Sequence, residues 1–218
     1  IEDEIESDRE IFYRDIEDLQ LNPENLGKKI LDVGSNELFQ FGKYVNAHYK
    51  DSEVFSLDPL LESNKENKTI KGIAEAIPFD DETFDSVTSS GAIPNMLYQL
   101  HNETSDEKAK ERVHKALFEM VRVVKPGSEV RLGRVIRTAD PLDSGFVSDN
   151  LILDTTLEEL KQVYGVEIEE IHTPPDTYRY DEPFGEPKEL FGKAYLIIIR
   201  KPLNPDIKTE SVSPAITL

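Results

Sequence analysis

The chain has no cysteine, few basic residues and no long apolar run, and each shortage closes off a class of function. Without cysteine there is no disulfide framework and no thiolate zinc site, which fits a cytoplasmic protein. Twenty-five Lys and Arg stand against forty-four Asp and Glu, a net charge of −19, so phosphate backbones and anionic membrane surfaces are repelled. Neither nucleic acid nor a membrane is expected as a partner. The longest apolar run, Tyr195 to Ile199, is too short to span a bilayer, and the acidic N-terminal segment lacks the basic and apolar regions of a secretory signal. A soluble protein is expected. Because the chain opens at Ile1 rather than Met, some sequence, targeting information included, is expected to have preceded it. The four histidines, His48, His101, His114 and His172, show no pairing at metal-ligand spacing, so no metal is expected.

What the chain does have is concentrated in KKILDVGSNELFQFG, Lys28 to Gly42: a short apolar strand ending near Asp32, a turn at Gly34, then an amphipathic run. That order sets a tight turn and a helix N-terminus at the carboxyl end of a strand, where α/β proteins hold nucleotide-like ligands. The turn departs from the three-glycine dinucleotide fingerprint, with Asn36 where a second glycine could stand and Leu38 beyond it. Asn tolerates positive φ better than most residues, whereas Leu38 keeps a ligand's backbone approach at a distance. An ordinary strand-to-helix turn is the alternative.

Strand-like and helix-like segments alternate along the rest. Ile5, Phe12, Ile16 and Leu19 form a helical stripe, expected as a capping helix that ends before Asn22-Pro23. Strands are expected at Lys29 to Val33, Glu53 to Leu57, Thr69 to Gly72, Phe84 to Ser89 and about Glu129 to Ile136. Thr104 with Glu107 makes a capping box for a helix with apolar positions from Val113 to Val124, stopped by Lys125-Pro126-Gly127. Thr156 with Glu159 is expected to cap a short helix ending near Gly165. Two last strands, Val166 to His172 and Ala194 to Arg200, are joined by a Pro-rich segment without helical pattern, so they should pair antiparallel across a long loop. Seven strands, the first five parallel and the last in the chain antiparallel, with helices on both faces, define an α/β sheet protein. One domain over residues 1–201 is expected, with residues 1–27 as its N-terminal capping helix and residues 202–218 as a flexible tail or linker to a further domain or partner.

Five spaced segments resemble the class I S-adenosylmethionine-dependent methyltransferases, particularly the small-molecule group that includes the quinone-biosynthesis enzymes. They are KKILDVGS (Lys28 to Ser35), VFSLDP (Val54 to Pro59), GIAEAIPFDDETFDSVTSSGAI (Gly72 to Ile93), ALFEMVRVVKPG (Ala116 to Gly127) and YLIIIRKP (Tyr195 to Pro202). The AEAIPF-DDETFD block followed by EMVRVVKPG is the more specific combination. The resemblance implies a Rossmann-like methyltransferase fold and S-adenosylmethionine as cofactor.

It also assigns residues. Asp58, 26 residues after Asp32, would accept hydrogen bonds from the ribose hydroxyls, next to Pro59; a turn Asp before Pro59 is the alternative. Gly34, Ser35 and Asn36 would pass beneath the methionine end, with Asp32 orienting the ammonium group or merely capping the turn. In many relatives an acidic residue stands where this chain has Ile73 and accepts a hydrogen bond from the adenine amino group. Here Ile73 would pack on the adenine face, Ala74 would offer backbone groups, and Glu75 would face solvent or brace the next turn. Ser90, with Ser89 and Gly91, would complete the pocket and begin the acceptor wall.

Methyl transfer from a sulfonium asks mainly for alignment and water exclusion, so no fixed catalytic signature is required. Where the acceptor carries a proton, His101, Tyr98, His172, Tyr178 and Tyr180 are the candidate bases. With Phe184, the two tyrosines at 178 and 180 would form a lid over an apolar acceptor or shield a sheet edge. Two functions stay open: methyl transfer to a small neutral or cationic acceptor, or a methyltransferase-like binding or scaffold module of a larger protein that has lost catalysis. A nicotinamide-dependent dehydrogenase fits less well, because the glycine spacing is wrong.

Overall fold

In a computed structural model that describes residues 2–93, 106–137, 144–173, 177–180, 188–191 and 193–203, a seven-stranded sheet is the centre of the molecule. The chain runs α1 (Glu2–Asp18), β1 (Lys29–Val33), α2 (Gln40–His48), β2 (Glu53–Asp58), β3 (Thr69–Lys71) and β4 (Phe84–Ser90). It continues through α3 (Asp106–Val123), β5 (Val124–Arg137), α4 (Ser144–Tyr164), β6 (Glu167–His172), β7 (Thr177–Tyr180), β8 (Lys188–Phe191) and β9 (Lys193–Arg200). Sheet order is β3-β2-β1-β4-β5-β9-β6. The first five strands pair parallel; β9 pairs antiparallel with both β5 and β6. The antiparallel strand expected last in the chain therefore lies inside the sheet rather than at its edge.

Alternation of side chains gives each face its own core. Leu31 of β1, Leu57 of β2 and Ile197 and Ile199 of β9 pack with Val113, Leu117 and Met120 of α3 and Leu153, Leu157 and Leu160 of α4. On the opposite face Ile30 and Val54 pack with Phe41 and Val45 of α2 and Phe12 of α1, while Leu196 and Ile198 meet Leu19. Covering both faces explains the unbroken Leu-Ile-Ile-Ile run of β9, since a strand buried on both sides has no reason to alternate.

Of the N-terminal stripe, Phe12, Ile16 and Leu19 pack inward on the core. Phe12 stacks on Phe41 and Tyr44 at centroid distances of 5.9 and 4.6 Å, fixing α1 to α2. The polar face of α1 then reaches across to β4 and β5: the Ser90 hydroxyl donates to Asp15 (3.2 Å), and Arg134 donates to Asp18 (2.6 Å).

Four expectations need correction. Thr156 does not cap a helix: it lies inside α4, fully buried, and its hydroxyl bonds back to the Ile152 carbonyl at 2.9 Å, which a Thr inside a helix does when no free N–H is near. The segments from 59 to 68 and from 72 to 83 contain no α-helix, so the links β2–β3 and β3–β4 are loops. β5 begins at Val124, immediately after α3, and runs through Lys125-Pro126-Gly127. The Pro-rich connection between β6 and β9 holds a small antiparallel ladder of β7 and β8. Thr104 and the tail beyond Leu203 lie outside the described residues.

Candidate functional site

Strand order reverses between β1 and β4, and an α/β sheet opens a crevice beyond the carboxyl ends of its strands at such a point. A cavity of about 690 Å³ occupies that place. Its walls come from the turns after β1, β2, β3 and β4, with Arg14 of α1, Arg112 of α3 and Arg134 of β5 completing them.

The turn after β1 is built from unusual backbone. Gly34 has φ of 76°, and a Cβ there would stand 2.1 Å from the Ala92 Cβ, so only glycine fits. Asn36, at φ of 56°, occupies the left-handed region that the absent second glycine would have filled, and its side chain accepts from the Leu38 N–H at 2.7 Å. Phe39 also sits in that region, with no side-chain cap for α2. Leu38 points outward, 57% exposed, and does not plug the cavity. Gly42 was missed as a site-shaping residue: a Cβ there would lie 2.4 Å from the Ser56 hydroxyl, so it lets α2 press on β2, the packing task of a fingerprint's last glycine. Its signal was a glycine inside an apolar helical run.

Asp58 ties two turns together. One carboxylate oxygen accepts from the Asn36 N–H (3.0 Å) and the other from the Leu60 N–H (2.8 Å), while the residue forms part of the cavity wall. Both the turn-capping and the ligand-facing readings therefore describe the same side chain, since each oxygen keeps a further lone pair. Asp32 is buried and does not line the cavity. Desolvation first, then the negative charges of Asp15 and Asp58, push its carboxyl up to about 8, against a hydrogen bond with Thr88 that favours ionisation. Asp15 is raised as well, by burial, although Arg14 and Arg134 and a hydrogen bond from Ser90 pull the other way. Three carboxyl groups thus converge under the turn without enough cation to balance them.

The loop after β3 turns at Ile73 to Ala76, where the Ala76 N–H reaches the Ile73 carbonyl (3.2 Å). Ile73, 45% exposed, lines the cavity and leaves it open. Glu75 does not face solvent: its side chain is 9% exposed, and it accepts from Arg112 at 2.5 Å. α3 holds the rest of the loop through Glu119, which accepts from the Ile77 N–H (2.9 Å), and through Arg122, which donates to the Ile77 and Phe79 carbonyls (3.0 and 2.8 Å). Nothing in the spacing of Arg112, Glu119 and Arg122 marks them as partners of a loop some forty residues earlier.

Of the sequence-expected site residues, Gly34, Asn36, Asp58, Pro59, Ile73, Ala74, Glu75 and Ser90 line one cavity. Asp32 and Ser35 are buried and do not line it. Arg14, Arg112 and Arg134 were not foreseen. Buried side-chain atoms without a partner, among the described residues, include the Ser35 and Ser89 hydroxyls and Glu75 Oε2, all in the segments that enclose the cavity. Of the candidate bases, Tyr98 and His101 lie outside the described residues. His172 is exposed, stands against Tyr195 and does not line the cavity. Tyr178 and Tyr180 belong to β7, of whose side chains nothing is described; Phe184 lies outside the described residues. Among the described residues no group of His, Asp or Glu is arranged to hold a metal ion, and no helix is long and apolar enough to cross a membrane.

Residues 31–132 match the family model described as a methyltransferase domain. Among solved structures, the chain is similar to the YcgJ protein of Bacillus subtilis at 16% identity and a TM-score of 0.51, over 90% of this chain and 98% of that one. It is also similar to a structure concerned with converting a disulfide bond into a thioacetal group during echinomycin biosynthesis, at 16% identity and a TM-score of 0.52, over 84% and 80% of the two chains. A third, described as a SAM-dependent methyltransferase and possible histamine N-methyltransferase of Thermotoga maritima, shares 19% identity over 93% and 94%, with a TM-score of 0.48. At such identities the likeness concerns the fold. No curated protein matches the chain in sequence.

Proposed function

We propose that this chain, whose residues 31–132 match the methyltransferase-domain family model, is a class I S-adenosylmethionine-dependent methyltransferase whose strand-tip cavity seats the cofactor for methyl transfer to a small-molecule acceptor. The observation that carries the reading is the position of Asp58, in the cavity wall between the Gly34 turn on one side and Ile73 on the other. The residues suit the group. Asp58 has lone pairs left for a diol, and Ile73 presents a half-exposed apolar side chain to the same cavity.

When bound, the cofactor supplies an electrophilic methyl group on a positively charged sulfur. The protein's part is placement. Asp58 orients the sugar, the Gly34-Ser35-Asn36 turn borders the amino-acid end, and Ala74 presents backbone groups at the purine end next to Pro59. Asp32, its carboxyl raised to about 8 by burial and by the charges of Asp15 and Asp58, would ionise beside a bound ammonium group and help orient it. Ser90, held by Asp15, stands where the cavity meets α1, the side from which an acceptor approaches. Alignment in a walled site supplies most of what such a transfer needs. The net charge of −19 favours a neutral or cationic acceptor, and the absence of cysteine fits a cytoplasmic setting. Grouping with the quinone-biosynthesis enzymes rests on the sequence segments alone. No observation favours the inactive-module alternative.

Isothermal titration with S-adenosylhomocysteine tests the reading. Micromolar binding is expected, weakened ~100-fold by Asp58→Ala through loss of charge-assisted hydrogen bonds. No heat at millimolar ligand would overturn it.

A further inference from the structure

Acidic residues outnumber basic ones forty-four to twenty-five in the chain, yet the cavity wall reverses that balance: Arg14, Arg112 and Arg134 stand there against Asp58 and Glu75. Arg112 is engaged by Glu75. The other two come together from α1 and β5 around Asp15, which also accepts from Ser90. Neither is used up by its partner. Arg14 approaches one Asp15 oxygen through Nε and Nη2 at 3.4 and 3.3 Å, well beyond the usual length of a charge-assisted bond. Arg134 gives only Nε, to Asp18 at 2.6 Å, and its two terminal nitrogens have no hydrogen-bond partner among the described residues. Both side chains keep accessible surface, 44% for Arg14 and 26% for Arg134, and both residues line the cavity.

Backbone geometry singles out Arg134. Leu132 pairs with Ile197 and Val135 with Tyr195, so Gly133 and Arg134 together oppose Leu196 in a β-bulge. Within it Arg134 takes φ of 57°, a left-handed conformation costly for a residue with a Cβ, while the adjacent glycine does not. Gly133 is the last residue of β5 paired with β4, opposite Ser90, so the distortion falls at the cavity wall. Bulges beside active sites re-aim a side chain. A partly exposed ion pair with Asp18 is worth little against that cost.

We infer that Arg134, assisted by Arg14, receives a carboxylate of the methyl acceptor, a molecule neutral or cationic overall that presents this one acidic group between α1 and β5. The inference rests on the cofactor reading above and names the acceptor class for the same cavity. With Nε held by Asp18, the two terminal nitrogens of Arg134 form a fork that matches both oxygens of a carboxylate, and Arg14 supplies a further donor and charge. The contact selects and orients the acceptor and takes no part in the transfer itself. The chain's net charge of −19 opposes a multiply charged group such as a phosphate monoester, which favours the carboxylate.

The test uses acid and amide pairs, acetate with acetamide, benzoate with benzamide and phenylacetate with phenylacetamide, titrated by ligand-observed NMR into protein saturated with S-adenosylhomocysteine. At least one acid should bind ~10–100-fold more tightly than its amide, the range of charge-assisted hydrogen bonds. Arg134→Gln should abolish that preference, and Arg134→Lys, which keeps the charge without the fork, should retain only part of it. Asp18→Asn removes the ion pair but leaves the guanidinium, so it should keep the preference; if it loses the preference as fully as Arg134→Gln does, Arg134 only holds α1 and the inference fails. The cofactor's own tail is the other source of a carboxylate. Should Arg134→Gln weaken S-adenosylhomocysteine far more than methylthioadenosine, which lacks that tail, the arginine belongs to the cofactor and the inference is overturned. With S-adenosylhomocysteine bound and no acid preferred over its amide, this inference alone falls. Failure of the wild type to bind S-adenosylhomocysteine at all would instead bring down the cofactor reading, and this inference with it.

Discussion

The two turns that wall the cavity are made by different means. From Gly34 to Phe39 the chain is shaped locally: three residues with φ of 76°, 56° and 38° bend it, and backbone N–H groups at Gly34 and Asn36 anchor it to Leu57 and Asp58. From Gly72 to Ala76 no residue has a positive φ, and the loop is held from a distance by the ion pair of Arg112 with Glu75 and the contacts of Glu119 and Arg122 just beyond. Local shape fails by steric conflict, whereas a loop held by charges fails by losing a partner. The first kind of damage should therefore be abrupt and the second graded and dependent on the ligand's own polarity.

Gly34→Ala is the sharpest way to break the first turn. Left-handed backbone costs a residue with a Cβ about 1–2 kcal/mol, and a Cβ placed 2.1 Å from the Ala92 Cβ forces β4's following residues to move. Overpacking of this kind adds roughly 1–3 kcal/mol, so a loss of about 2–5 kcal/mol in urea unfolding is expected, together with loss of detectable S-adenosylhomocysteine binding. Wild-type affinity in a folded Gly34→Ala protein would show that the turn does not border the ligand.

The same contrast explains what could be read in advance. Strand and helix positions around Lys29, Glu53, Phe84 and Val113 follow from apolar period, and the Gly34 turn follows from residue types that permit left-handed backbone. Asp58 was legible because it ends the second strand 26 residues after Asp32, although its turn-capping bonds to Asn36 and Leu60 show that the alternative reading also holds. Arg14, Arg112 and Arg134 were not, since an arginine on a charged helix or strand looks like solvent-facing charge until tertiary packing chooses its partner. Of the two readings of Glu75, facing solvent or bracing the next turn, the first fails for that reason. α4 was cut short at Thr156 because a Thr with Glu three residues on looks like a cap, and only burial of Thr156 distinguishes the two.

Asp32 joins the comparison from beneath the first turn, where burial conflicts with charge. Its carboxyl sits near 8 in the folded chain against 3.8 when exposed, so between about pH 4 and pH 8 the folded state holds a proton that the unfolded state has released. Stability from this group is therefore fully present below about pH 4 and declines as pH rises through 8. Asp32→Asn should abolish that decline, leaving the variant with a higher Tm than wild type at pH 8 and little difference near pH 4.5. An ammonium group bound nearby favours the ionised carboxylate, so binding should release a proton and tighten with pH up to about 8. Calorimetry in buffers of different ionisation enthalpy reads that proton directly; in Asp32→Asn it should vanish and affinity should fall. A flat Tm difference across this range would mean that Asp32 is ionised in the folded chain.

The smallest change sharpens the comparison most finely. Asn36 contributes its backbone N–H to Asp58 and uses its side chain only for the exposed turn at Leu38. Asn36→Gly would restore the missing fingerprint glycine, relieving left-handed strain while losing that side-chain bond and loosening the unfolded chain; these effects nearly cancel, to within about 1 kcal/mol. Binding of S-adenosylhomocysteine should stay within about threefold of wild type, because the group that fixes Asp58 belongs to the backbone. Asn36→Val, whose branched side chain is poorly tolerated at positive φ, should by contrast lower both Tm and affinity. If Asn36→Gly instead abolished binding while Tm held, the side chain would be touching the ligand, and the first turn would recognise by chemistry as well as by shape.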